Sequence, residues 1–186
     1  CSSDLGLVSE LRRAHTALSG AGIVAVAFKG PVLGEQLYGD PALRPSVDID
    51  ILLRRCDVPL ALDALRRAGF EGGDRRRLSA YLDYQCEITL TRRRVMLELQ
   101  WALAPRYYSI PLSAESFWGR LHSVSLEGHV YPVLSPEDQL LALLTHGAKH
   151  QWSRLLWLVD IRLLMRRPVE WDQVLDDARR ARIERL

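Results

Sequence analysis

Two aspartates one residue apart, Asp48 and Asp50, stand in the run Val47-Asp48-Ile49-Asp50-Ile51-Leu52-Leu53. Side chains alternate along an extended strand, so both carboxylates share one face while Val47, Ile49, Ile51 and Leu53 take the other. Paired carboxylates are costly to desolvate unless a cation neutralises them. Two divalent ions roughly 3.5–4 Å apart would supply that charge. Magnesium suits such a site, because it takes few carboxylates and keeps places for phosphate oxygens and water; manganese is the second choice. A third acid, Glu98, lies in Val95-Met96-Leu97-Glu98-Leu99-Gln100-Trp101, again opposite an apolar stripe. Its type and placement suit a third metal ligand or a general base. Lys29-Gly30 breaks the chain sharply before Pro31, where a helix opens. Backbone N–H groups and the helix dipole at such a turn favour phosphate.

The elements that must position these groups follow from patterning. An amphipathic helix is expected over 4–19, ended by Gly20 and Gly22. Residues 23–28 read as a buried strand, and Pro31 to Leu37 as a short helix. A two-proline loop over 39–46 then leads into the Asp48 strand. Asp57 is placed to cap a helix carrying Val58, Ala61, Leu62 and Leu65. Residues 84–91 and 95–101 alternate in polarity about Arg92-Arg93-Arg94 and predict a hairpin. A short helix near 115–121 and a second hairpin over 122–134, turning at Glu127-Gly128, come next. Ser135-Pro136-Glu137-Asp138 is a strong helix start, and helices are expected over 136–150, 152–166 and 170–183. The organisation expected is an α/β domain over 1–105, a connector over 106–134 and a helical domain over 135–186.

Composition narrows the function classes. Net charge is +2, too small for a broad nonspecific nucleic-acid footprint. Cys1, Cys56 and Cys86 are three scattered cysteines with no Cys-x-x-Cys pair, which predicts reduced thiols and a cytoplasmic setting rather than a structural zinc site. No apolar run reaches the roughly 20 residues of a membrane helix. Among 25 basic residues only Lys29 and Lys149 are lysine. A lysine that persists in so arginine-rich a chain is a modest hint of a role, set against chance.

The segments Phe28-Lys29-Gly30, Asp40-Pro41-Ala42-Leu43-Arg44-Pro45-Ser46-Val47-Asp48-Ile49-Asp50-Ile51-Leu52 and Leu97-Glu98-Leu99-Gln100-Trp101 together resemble the uncharacterised nucleotidyltransferase family of the DNA polymerase β-like superfamily. They are similar, more distantly, to aminoglycoside nucleotidyltransferases. The resemblance is best over 23–101 and looser from Leu134 through His146, His150, Trp152 and Asp160. It implies an α+β fold, a mixed sheet with flanking helices followed by a mostly helical part. It implies transfer of a nucleoside monophosphate from an NTP to an acceptor, with pyrophosphate released. Carried over, Asp48, Asp50 and Glu98 are the catalytic and metal-binding acids, and Lys29 with Gly30 meets the triphosphate. Two departures stand out. The superfamily turn is usually Gly-Ser or Gly-Gly, not Lys-Gly, and the family often has histidine where Gln100 stands.

Other residues keep two readings. Arg44 and Ser46 suit phosphate contact or a plain surface loop. His146 and His150, four apart, suit packing or acceptor contact better than zinc. His150 and Asp160 are offered for the acceptor side; Asp160, in an apolar setting, is otherwise the partner of Lys149 or an arginine. Arg75-Arg76-Arg77 and Arg92-Arg93-Arg94 read as solvated runs, and Trp152 and Trp157 as helix-packing core. The acceptor is not legible. A toxin-like transferase acting on RNA or protein, and a non-catalytic nucleotide-binding regulator, remain the rival functions.

Overall fold

The computed structural model describes residues 2–73, 78–108 and 114–185. The expected Arg75-Arg76-Arg77 loop lies outside them. The chain opens with helix α1 (Ser2–Gly20), strand β1 (Val26–Ala27), α2 (Gly30–Tyr38), β2 (Asp48–Leu52), α3 (Val58–Arg67), β3 (Glu71–Gly72), α4 (Leu78–Tyr84), β4 (Glu87–Arg92) and β5 (Val95–Gln100). A hairpin of β6 (His122–Leu126) and β7 (His129–Val133) leads into α5 (Pro136–Lys149), α6 (Leu155–Leu164) and α7 (Trp171–Arg180). This is the mixed α+β architecture expected.

The five-stranded sheet has the order β1-β2-β5-β4-β3. β2 and β5 run parallel, pairing Asp48 with Met96 and Asp50 with Glu98. β4 and β5 form the expected hairpin, pairing Glu98 with Thr89 and Gln100 with Glu87. Its two-residue turn holds Arg93 and Arg94 at φ 48° and 67°. That is the left-handed pair whose twist matches flanking strands.

One sheet face buries Ile49, Ile51, Leu97, Leu99, Ile88 and Leu90 against α1 and α3, where Leu11, Leu18, Leu62 and Leu65 complete the core. The β6–β7 hairpin adds Leu126, Tyr131 and Val133 to that same core, so the expected connector packs on the sheet side. Leu33 of α2 instead joins Leu140, Leu141, Ile161, Leu164 and Val174 of the last three helices. A third cluster, with Val26, Phe28, Leu52, Phe117 and Ala142, sits between them. Half of the other sheet face is therefore apolar and covered by α5. The other half carries the acids.

Three local expectations change. The buried strand over 23–28 shrinks to Val26–Ala27, and Val24 is 41% exposed, because β1 pairs only with Leu52 and Ile51. Asp57 forms no side-chain cap on α3; a 3-10 turn at Arg55–Asp57 leads into the helix instead. The helix near 115–121 is a 3-10 segment, Ala114–Gly119. Ser135 does cap α5, accepting from the backbone N–H of Asp138. No described helix is long and apolar enough to cross a membrane.

Candidate active site

Asp48, Asp50 and Glu98 share the sheet face away from α1, on adjacent strands whose register sets Asp50 beside Glu98. They line the floor of a cavity of about 270 Å³. Its other walls are the Lys29-Gly30 turn, the loop Arg44 to Val47, and Lys149, His150, Arg154 and Trp157 from the helical part. Apolar burial of Ile49, Ile51, Leu97 and Leu99 on one face presents the acids on the other.

Asp50 is almost fully buried and has two close donors. Lys29 Nζ lies 2.6 Å from its Oδ1, and Gln100 Nε2 donates to the same oxygen at 2.9 Å. Gln100 also donates to Glu98 Oε2 at 3.1 Å, so one amide spans two acids. Burial, then the charge of Asp50, raises the Asp48 carboxyl above its ordinary value. The same causes in the same order lift Glu98 to about 7. Both acids are short of cationic charge despite Lys29.

Among the described residues, no three His, Cys, Asp or Glu side chains are drawn together as a ready metal cluster. The donors nevertheless suit a hard divalent ion: oxygen ligands only, two of them on one strand and a third on its neighbour. Burial first, and the neighbouring Asp50 charge second, make Asp48 and Glu98 hold protons more readily than free carboxyls, a cost that a bound cation would offset. Asp48 and Asp50, with Glu98 beside them, are the residues that could hold such an ion.

Gly30 opens α2 at φ +64°, and a Cβ there would stand 3.1 Å from the Asp48 carbonyl oxygen. Glycine is thus demanded by the turn and by its packing on β2. Lys29 at the N-cap makes no capping side-chain hydrogen bond and reaches over the acids instead. Its ammonium also lies 3.4 Å from His146 Nδ1 and 5.2 Å from the Phe28 ring centroid. Burial, then Lys29, drives His146 down to about 2, so its ring is neutral. His146, His150 and Trp157 pack ring to ring, with centroids 4.6–5.6 Å apart.

Arg44 is buried and grips Asp160 of α6: Nε donates to both carboxylate oxygens at 3.1 Å, and Nη2 to Oδ2 at 2.9 Å. Tyr38 donates to the same carboxylate at 2.8 Å. Arg44 Nη1 donates to Ser46 Oγ at 3.1 Å. Arg44 and Ser46 line the cavity, but their close partners are one another and Asp160. Asp160, 0% exposed and absent from the cavity wall, turns no surface toward an acceptor. A planar fork matches a carboxylate bidentately, and this clamp fastens the loop before β2 to α6.

Sequence reasoning passed over Gln100, noting it only for the histidine it replaces. Its place two residues after Glu98, on the same strand face, was the available signal. Lys149, one of the two cations expected for Asp160, instead pairs through Nζ with Glu87 Oε2 at 3.1 Å in the cavity wall. Both lysines of the chain thus reach this site. Trp152 fits the packing role expected: its ring lies so close over Gly147 that a Cβ there would run into it.

The whole chain is similar to solved nucleotidyltransferase structures. The solution structure of the antibiotic-resistance factor ANT(2'')-Ia superposes with a TM-score of 0.69 at 15% identity, covering 96% of this chain and 94% of that one. The crystal structure of ANT(2'')-Ia in complex with adenylyl-2''-tobramycin gives 0.65 at 13% identity, covering 94% and 96%. An antigenic nucleotidyltransferase-like protein from Paracoccidioides brasiliensis gives 0.54 at 16%, covering 98% and 88%. At these identities the likeness is one of fold. No curated protein matches the sequence. The family described as uncharacterised nucleotidyltransferase matches residues 2–186, and the chain belongs to that family.

Proposed function

We propose that this cavity transfers a nucleoside monophosphate from an NTP to an acceptor hydroxyl, releasing pyrophosphate. The observation that carries the reading is the row Asp48, Asp50 and Glu98, on one face of paired strands, opposite a Lys-Gly turn that opens a helix. Magnesium, or manganese, held by Asp48 and Asp50 with Glu98 beside them, would supply charge stabilisation at the phosphorus and acidify the attacking hydroxyl.

The chain's own groups do the rest. Gly30 and Lys29 receive the triphosphate at the N-terminus of α2, where positive charge favours phosphate. Lys29 steadies the departing pyrophosphate. Glu98 accepts the acceptor's proton at an oxygen next to the one that Gln100 orients. Gln100 keeps Asp50 and Glu98 apart in a fixed geometry. The in-line attack at the α-phosphorus then needs only that donor and acceptor be held face to face in the cleft.

The acceptor side lies beyond Glu98, toward β4 and the helical part. There Glu87 is paired with Lys149, and His150 and Arg154 add further donors. Incubation with each labelled NTP and a cell extract tests the transfer. A labelled product that forms with wild type and not with Asp48→Asn supports it, and no labelling with any NTP refutes it.

A further inference from the structure

We propose that Lys29 is an internal counter-ion that exchanges partners: it neutralises Asp50 until a nucleotide arrives, then passes to the triphosphate, so that divalent-metal loading depends on nucleotide. This rests on the nucleotidyltransferase reading above.

The Lys29 ammonium is seated, not merely near. Its 2.6 Å approach to Asp50 Oδ1 is backed by His146 Nδ1 at 3.4 Å and the Phe28 ring at 5.2 Å. The side chains of Lys29 and Asp50 are 9% and 2% exposed, so water screens the pair little. Gln100 donates to that same Oδ1. A metal ion approaching Asp50 therefore meets an oxygen already serving two donors, one of them a full positive charge. Without nucleotide, the ion must displace the ammonium or tolerate it at close range.

A triphosphate removes that obstacle. Lys29 is the N-cap of α2, and its ammonium sits on a flexible four-carbon stem. Phosphates meeting the N-terminus of α2 would give the ammonium a second anion within reach of the same backbone position. Asp50 is then released to the metal that the phosphates also ligate. Arginine would serve this exchange poorly, because its planar fork commits to one geometry, as Arg44 does with Asp160. That distinction explains a lysine here in a chain otherwise rich in arginine. Linkage is reciprocal, so metal must favour nucleotide by the factor that nucleotide favours metal.

The test uses Mn2+ and a non-hydrolysable NTP analogue, with bound Mn2+ read from the loss of the free-ion electron paramagnetic resonance signal. In wild type, protein and analogue together should take up more Mn2+ than the sum of what each binds alone. Lys29→Met keeps the stem and removes the charge. It should bind Mn2+ without nucleotide roughly tenfold or more tightly than wild type, the scale of one charge-assisted contact. Lys29→Arg, which keeps the charge, should remain weak. Uptake by the wild-type mixture that equals the simple sum overturns the exchange, and this arm needs no variant to fold. Unchanged Mn2+ affinity in folded Lys29→Met overturns it equally. Wild type that takes up no Mn2+ under any condition removes the metal-dependent transferase reading as well.

Discussion

Asp48 and Asp50 occupy matching places on one strand, yet neutralising them should move stability in opposite directions. Asp50 is the buried partner of Lys29, at 2.6 Å, and accepts from Gln100 at 2.9 Å. Asp50→Asn leaves the Lys29 ammonium buried without its closest counter-charge. Removing one member of a buried ion pair costs about 3–5 kcal/mol. The asparagine oxygen still accepts a hydrogen bond, and Asp48 and Glu98 still feel Lys29, so the lower figure applies. At about 2–4 °C per kcal/mol for a chain of this size, about 3 kcal/mol lowers Tm by about 6–12 °C. Asp48 differs, because burial and the charge of Asp50 make its ionised form unfavourable. Asp48→Asn removes that repulsion, so Tm should hold or rise at neutral pH. Thermal unfolding followed by circular dichroism, in a chelator and without nucleotide, reads both. Lys29→Met in the Asp50→Asn background should recover part of the loss, and the double-mutant cycle measures the coupling. Equal shifts from the two single variants, or no loss from Asp50→Asn, would refute the reasoning. Transfer activity should vanish in both variants whatever their stability.

The remaining expectations are briefer. Asp160→Ala leaves the buried Arg44 guanidinium without its counter-charge and should cost about 3–5 kcal/mol; a fall in Tm of less than about 6 °C would show that the clamp does not fasten the loop before β2 to α6. Glu98→Gln should slow turnover at saturating NTP about 10²–10⁴-fold; unchanged turnover would assign the proton to another group. His15, held down to about 4 by burial and then by His129, binds its proton more readily when unfolded. Stability should therefore be fully present above pH 6.5 and fall toward pH 4, by up to roughly 3 kcal/mol. His15→Gln should flatten that slope in denaturant titrations, and an unchanged slope would place the loss elsewhere.

Period and punctuation in the chain were enough for most elements, because those signals are local. Alternation about Arg92-Arg93-Arg94 specified the β4–β5 hairpin, and Ser135-Pro136 specified the start of α5. Alternation likewise put Asp48 and Asp50 on one face, since the apolar stripe of Ile49 and Ile51 had to be buried. Local signals mislead where a neighbour decides. Residues 23–28 are apolar enough for a full strand, but β2 offers β1 only two partners. Gly30 reads as a place for phosphate to approach; the fold adds a positive φ and contact with the Asp48 carbonyl. Partners are legible only by type: the apolar setting of Asp160 calls for Lys149 or an arginine, but not for Arg44 in particular. Asp160 finds Arg44 across |i−j| of 116, and Lys149 finds Glu87 across 62. Lys29 lies on Asp50 because β1 and β2 pair antiparallel and bring its turn over the acids. Residue types state which charges must be compensated, since burying any of them alone is costly. Only the tertiary packing decides which opposite charge arrives, and it is that choice that makes three acids and a lysine one site.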